Sequence, residues 1–164
     1  MPSPVRVLTT GGTIDKVYSL QGMLEMDEPA VADLLAIGRS TVPVEIEAVL
    51  TKDSLDFDDA DRGAIVDAVQ RSPETRVLIT HGTDTMTVTA RALIAAGVGD
   101  RTVVLTGAMR PASMRDSDAP FNLGVALAAV QHFPSGVYIA MNGQVFAGDA
   151  VVKDRAAGRF LSHP

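Results

Sequence analysis

Short apolar runs, many of them β-branched, alternate along this chain with longer stretches whose apolar positions return every three or four residues. The runs at 5–9, 44–50, 76–80, 102–106 and 137–141 have the length and composition of strands. The stretches at 29–37, 59–70, 86–96 and 119–133 have helical spacing. Asp27 and Glu28 precede the first of these, Gly97 closes the third as an expected stop, and Pro120 lies in the first turn of the fourth behind Asp118, a candidate cap. Repeated switching between the two periods predicts βαβ units. The expected fold is therefore α/β, a doubly wound, mostly parallel sheet with helices on both faces through right-handed crossovers. After Met141 the pattern changes. Asn142-Gly143 predicts a tight turn joining 137–141 to 144–147 as a C-terminal hairpin, with a further short strand near 150–152. The tail, 155–164, carries no clear element.

At 164 residues the chain has the size of one domain, spanning 1–164, and can bury a sizeable core. Hydrophobic residues make up 46% and Trp is absent, so Val, Ile, Leu, Ala and Met must build the interior. The net charge of -6, with 14 scattered basic residues, argues against nucleic acid as a partner. The chain has no Cys, which removes disulfides, thiolate metal sites and a cysteine nucleophile together. No segment approaches the roughly 18 consecutive apolar residues of a membrane span, and no signal-like N-terminus is present. These features predict a cytoplasmic protein with no membrane partner, no metal and no cofactor, whose chemistry uses oxygen and nitrogen groups.

In a parallel sheet the loops leaving the C-terminal strand ends share one edge, where such folds bind ligands. Here those loops read Thr10-Gly11-Gly12-Thr13-Ile14-Asp15-Lys16-Val17-Tyr18, Thr51-Lys52-Asp53-Ser54-Leu55-Asp56, His81-Gly82-Thr83-Asp84-Thr85 and Gly107-Ala108-Met109-Arg110-Pro111. Each has a plainer use. Thr83, Asp84 and Thr85 suit helix capping; Gly11 and Gly12 suit a turn; Ser54 and Asp56 suit turn or cap positions. His81 reads as a structural hydrogen bonder, and Arg110 as the partner of a carboxylate or carbonyl. Their coincidence on one rim favours a site. A threonine hydroxyl attacks only when a base takes its proton, and a lysine oriented by a carboxylate is one such base. Lys153, beyond the last strong strand, and Lys16, beside Thr13, both qualify, and spacing does not choose between them.

The loops also resemble a known family. "TTGGTID" at 9–15 resembles the first signature of the bacterial-type L-asparaginases. "THGTDTM" at 80–86 resembles the second, and "LTGAMRP" at 105–111 with "SDAPFNL" at 117–123 a third block. The resemblance runs over nearly the whole chain, but only to the N-terminal domain of that family, without its smaller C-terminal domain. It implies an amidohydrolase that cleaves the side-chain amide of L-asparagine to aspartate and ammonia. By the same resemblance Thr13 is the nucleophile, Tyr18 belongs to a flap closing over the substrate, and Thr83, Lys153 and Asp84 activate the water for deacylation. Ser54 would hold the substrate α-carboxylate and Asp84 its α-ammonium. Gly82 and Ala108 would line the binding site, with the Thr83 amide and the Gly107-Ala108 turn near the developing oxyanion. An apolar, helix-rich domain without that second half is expected to bury surface by self-association, as a homodimer or homotetramer. The chain departs from the family pattern at Leu55, where many members have Gln, in the short interval from Thr13 to Tyr18, and at Asp154, which follows Lys153 in place of Thr. Two other readings stand beside it: a non-catalytic module that binds an amino acid or serves assembly, and an ammonia-supplying glutaminase or amidotransferase-type subunit.

Overall fold

Val5, Val7, Leu78, Val104 and Ala140 point to one face of the central sheet, while Leu8, Val77, Ile79, Val103, Leu105, Ile139 and Met141 point to the other. Such two-sided burial is what continuous apolar strands require. The computed structural model describes residues 3–163. In chain order they form β1 (Val5–Gly11), a 3-10 turn (Thr13–Asp15), β2 (Lys16–Tyr18), β3 (Leu24–Met26), α1 (Val31–Ile37), β4 (Val44–Lys52), a second 3-10 turn (Ser54–Asp56) and α2 (Asp59–Arg71). There follow β5 (Arg76–Thr80), α3 (Met86–Ala96), β6 (Thr102–Thr106), α4 (Ala119–His132), β7 (Gly136–Met141), β8 (Gln144–Ala147), β9 (Val151–Asp154) and β10 (Arg159–Ser162).

The main sheet has the order β4-β1-β5-β6-β7-β8, parallel except for β8. The chain runs outward from β1 to β4, then returns to the other side of β1 at β5, so the order reverses between β1 and β5. A crevice opens at that switch point, outside the carboxyl ends of the strands. Helices α1 and α4 cover one face through Val31, Leu34, Leu123, Ala126 and Val130. The opposite face carries α2 and α3 through Ile65, Ala68, Val69, Met86, Ala90 and Leu93. The predicted doubly wound sheet and C-terminal hairpin are therefore present. Asn142 (φ 56°) and Gly143 (φ 75°) both adopt the left-handed region, as the mirror-image hairpin turn requires.

Local signals set several boundaries. Asp58 caps α2 through the Asp61 amide in a reciprocal capping box, and Gly97 ends α3 at φ 77°. Three elements depart from the expectation. The stretch between β1 and α1 folds as a β2–β3 hairpin, with Lys16 opposite Met26. The tail expected to be irregular forms β10, antiparallel to β9, and buries Phe160; Pro164 lies outside the described residues. Asp118 stands at the N-cap of α4, but its carboxylate makes no cap bond and serves another purpose.

Candidate active site

The turns leaving β1, β4 and β5 are wedged against one another by glycines. Gly12 has φ 87°, and a Cβ there would fall 2.5 Å from the Gly82 Cα. A Cβ on Gly82 would in turn fall 2.6 Å from the Ser54 Oγ. The hydrogen bond from Gly12 N to Lys52 O (3.0 Å) fastens the same junction. The TTGGT, KDSLD and HGTDT segments thus meet at the switch point, next to Thr13 and Thr83.

Residues far apart in sequence complete the rim. Lys153, on β9, donates from Nζ to Thr83 Oγ1 and to Asp84 Oδ1, each at 2.8 Å. Its side chain is only 10% exposed, so the contact is held by packing rather than met by chance in solvent. Phe160 is what carries β9 there: it is buried in the core shared with α3, its strand pairs with β9, and its amide donates to Asn142 Oδ1 at 2.8 Å. None of Thr83, Asp84 and Thr85 caps α3; Thr85 instead donates its hydroxyl to Ser54 O at 2.8 Å. Along the Thr83–Lys153 bond a proton can pass between oxygen and nitrogen, with the Asp84 carboxylate fixing the lysine.

The other candidate residues differ in burial and in partners. Ser54 is buried and accepts from the Thr85 amide at 3.3 Å. Thr13 is half-buried, and its hydroxyl meets no donor or acceptor among the described residues. Tyr18 is 61% exposed on β2, and its hydroxyl makes no hydrogen bond among the described residues. Lys16, the other candidate base, pairs with Asp53 at 2.7 Å rather than with Thr13. Burial pushes the Asp53 carboxyl up, but hydrogen bonds from Lys16 and the Leu55 amide, with the charges of Lys16 and Lys153, bring it below the ordinary value. Leu55, the departure from the family pattern, is 59% exposed.

His81 is wholly buried, with Nδ1 2.7 Å from Gly82 O and Nε2 2.7 Å from Thr89 Oγ1. A carbonyl only accepts, so the proton sits on Nδ1 and Thr89 donates to Nε2. Burial pulls this imidazole down to about 4, the charge of Arg62 adding to the effect and the Gly82 carbonyl opposing it, and His81 is structural as expected. Arg110 pairs with Asp116 at the surface, also as expected.

Two roles were not read from the sequence. Asp118 accepts from the amides of Met109 (2.9 Å) and Arg110 (3.0 Å) and from Asn122 Nδ2 (2.9 Å). Buried Asn122 also donates to Gly107 O (3.0 Å), and its Oδ1 accepts from the Asn142 amide (3.3 Å). Together they clamp the β6 turn, with Ala108, beside the rim. The SDAPFNL stretch carries both residues, but only the fold shows what they hold. Arg155 is the second: its Nε lies 3.7 Å from Asp84 Oδ1. Its one sequence signal is the spacing of two from Lys153.

A model of the family "Asparaginase, N-terminal" matches residues 4–160. The chain belongs to the asparaginase family. This asparaginase-family chain is similar to the glutaminase-asparaginase of Acinetobacter glutaminasificans, at 36% identity over 76% of the chain and 38% of that protein. It is also similar to one subunit of the glutamyl-tRNA(Gln) amidotransferase of Methanococcus vannielii, at 30% identity over 86% of the chain and 34% of that protein. Among solved structures, the thermostable L-asparaginase of Thermococcus kodakarensis superposes with a TM-score of 0.88 at 32% identity, covering 97% of this chain and 51% of that one. The asparaginase-family chain thus spans about half the length of these relatives or less. Among its described residues no helix is long and apolar enough to cross a membrane.

Proposed function

We propose that the chain hydrolyses the side-chain carboxamide of a small amino acid, L-asparagine first, to the carboxylate and ammonia. The observation that carries this reading is Lys153 Nζ 2.8 Å from both Thr83 Oγ1 and Asp84 Oδ1, at the rim where Gly12, next to Thr13, packs against Gly82. In the proposed course the Thr13 hydroxyl, unengaged among the described residues, forms an ester bond to the amide carbon while its proton leaves with the departing ammonia. Tyr18, on the β2–β3 hairpin, assists that proton's removal when the hairpin closes. Water then adds to the ester carbon, its proton passing through the Thr83 hydroxyl, which Lys153 holds and polarises, to the Thr13 oxygen, which leaves as the free hydroxyl. The Thr83 amide and the Gly107-Ala108 turn stabilise the oxyanion of both steps. Ser54 with the Gly82 backbone takes the α-carboxylate, and Asp84, through its second oxygen, the α-ammonium.

The similarity to part of an amidotransferase supports a second reading, ammonia supply from glutamine to a partner. Steady-state ammonia release from asparagine against glutamine separates the two, with the mass of the active species by light scattering testing the proposed dimer or tetramer. Thr13→Ala is expected to fold like wild type and to lose at least a thousand-fold in turnover, on the order of what removing a covalent nucleophile costs. An active, well-folded variant would refute the role.

A further inference from the structure

Asp84 is shared. Its Oδ1 accepts from Lys153 Nζ at 2.8 Å and also faces Arg155 Nε at 3.7 Å. The second contact is too long for a hydrogen bond, and the terminal nitrogens of Arg155 donate to no group among the described residues. That side chain is 65% exposed, against 10% for Lys153. Lys153 lies on β9 and Arg155 opens the turn just beyond its end, where both reach Asp84 Oδ1, while Asp154 between them accepts from the Ala157 amide at 3.0 Å. The geometry therefore lays an unsaturated guanidinium fork at the open mouth of the rim, directly outside the carboxylate that fixes the lysine.

The local charge count points to what the fork takes. Three cations, Lys16, Lys153 and Arg155, stand against two carboxylates, Asp53 and Asp84, in the ion pairs of this rim. Among them Arg155 is the cation without a hydrogen-bonded carboxylate of its own. Arginine presents paired donors that match a carboxylate in two parallel hydrogen bonds. We propose that Arg155 is a specificity residue that joins Ser54 in binding the α-carboxylate of the substrate, so that this chain selects its carboxamide substrate by the anionic end more than by the ammonium end. With two cations already against Asp84 Oδ1, the pull of that carboxylate on a third is weakened. The inference rests on the amidohydrolase reading above and gives it a substrate class: primary carboxamides bearing a carboxylate two carbons from the amide carbon.

The test compares L-asparagine with succinamic acid, which lacks the α-ammonium, and β-alaninamide, which lacks the α-carboxylate. Wild type is expected to tolerate loss of the ammonium better than loss of the carboxylate. Arg155→Gln is expected to lower kcat/KM roughly ten- to hundred-fold for both carboxylate-bearing substrates, through KM, and to leave β-alaninamide unchanged. Arg155→Lys, which keeps the charge and loses the fork, should recover part of the loss. An equal loss on all three substrates would show that Arg155 only braces Asp84, and no loss on any would show that it is a solvated surface charge; either overturns the proposal. Circular dichroism and melting of both variants exclude a folding defect. If wild type releases ammonia from none of the three, the hydrolytic reading fails on its own, and calorimetric binding of L-aspartate against β-alanine decides the inference. Binding of L-aspartate that is weakened in Arg155→Gln upholds it, and wild type binding neither compound overturns it.

Discussion

Asp15 lies two residues beyond Thr13, 4% exposed, and its carboxylate accepts from the Ala30 amide at 2.9 Å. Burial lifts this carboxyl from an ordinary 3.8 to about 6, with the Ala30 N–H only partly opposing the rise. Between those values the native protein holds a proton that the unfolded chain has released. Asp15 therefore contributes stability that is complete below 3.8 and gone above about 6. At about 1.36 kcal/mol per pH unit the amount is roughly 3 kcal/mol. His81 acts in the opposite direction. Its native pKa of about 4, against 6.5 unfolded, contributes stability that is present above 6.5 and lost as pH falls through 4, again about 3 kcal/mol. Across nearly the same window the two groups cancel, and these two sites leave the wild type nearly flat. Asp15→Asn keeps an acceptor for the Ala30 amide and removes the titration. The variant should match wild type near pH 4 and exceed it by about 2–3 kcal/mol at pH 7, so that its stability rises with pH as His81 is unmasked. Urea unfolding followed by far-UV circular dichroism, which needs no Trp in a chain that has none, reads this difference at each pH. A variant-minus-wild-type difference independent of pH would refute the argument.

Two further outcomes follow from the site's scaffold. Gly12→Ala places a Cβ against the Gly82 backbone at φ 87° and should cost about 3 kcal/mol or more, with ammonia release falling further than stability because the two turns separate; a melting temperature like wild type's would contradict the close approach. Asp118→Ala removes the acceptor of the Met109 and Arg110 amides and strands part of Asn122, for an expected loss of about 2–4 kcal/mol, checked by chemical denaturation, while a change under about 0.5 kcal/mol would show that the β6 turn holds itself.

Much of the frame was written locally. The strands and helices of the main sheet follow from two short-range periodicities and their stops, which is why β5, α3 and β6 begin and end where their patterns do. The hairpin turn at Asn142-Gly143 was legible because its backbone needs residues that accept positive φ. The β2–β3 hairpin and β10 were not. Each strand is three or four residues long, and Leu24, Leu161 and Tyr18 stay exposed, so neither shows a sustained alternation. Phe160 is the one residue of β10 that the core buries, and its burial depends on β9 and Asn142, which sequence order alone does not bring near.

The same division runs through the rim. Residue type alone nominated Thr13, Thr83, Asp84 and Ser54, because their loops leave parallel strands on one edge. Spacing by itself left Lys16 and Lys153 as equal claimants, and only the family resemblance pointed to Lys153. Tertiary structure gave them different partners. It drew Lys16 to Asp53 at 2.7 Å and set Lys153 against Thr83, 70 residues away. Local pattern determines which backbone a segment adopts, because propensity and burial act over a few residues. Which charges meet is determined by how layers pack, and the same packing turned Asp118 from a helix cap into a clamp and laid Arg155 at the mouth of the site.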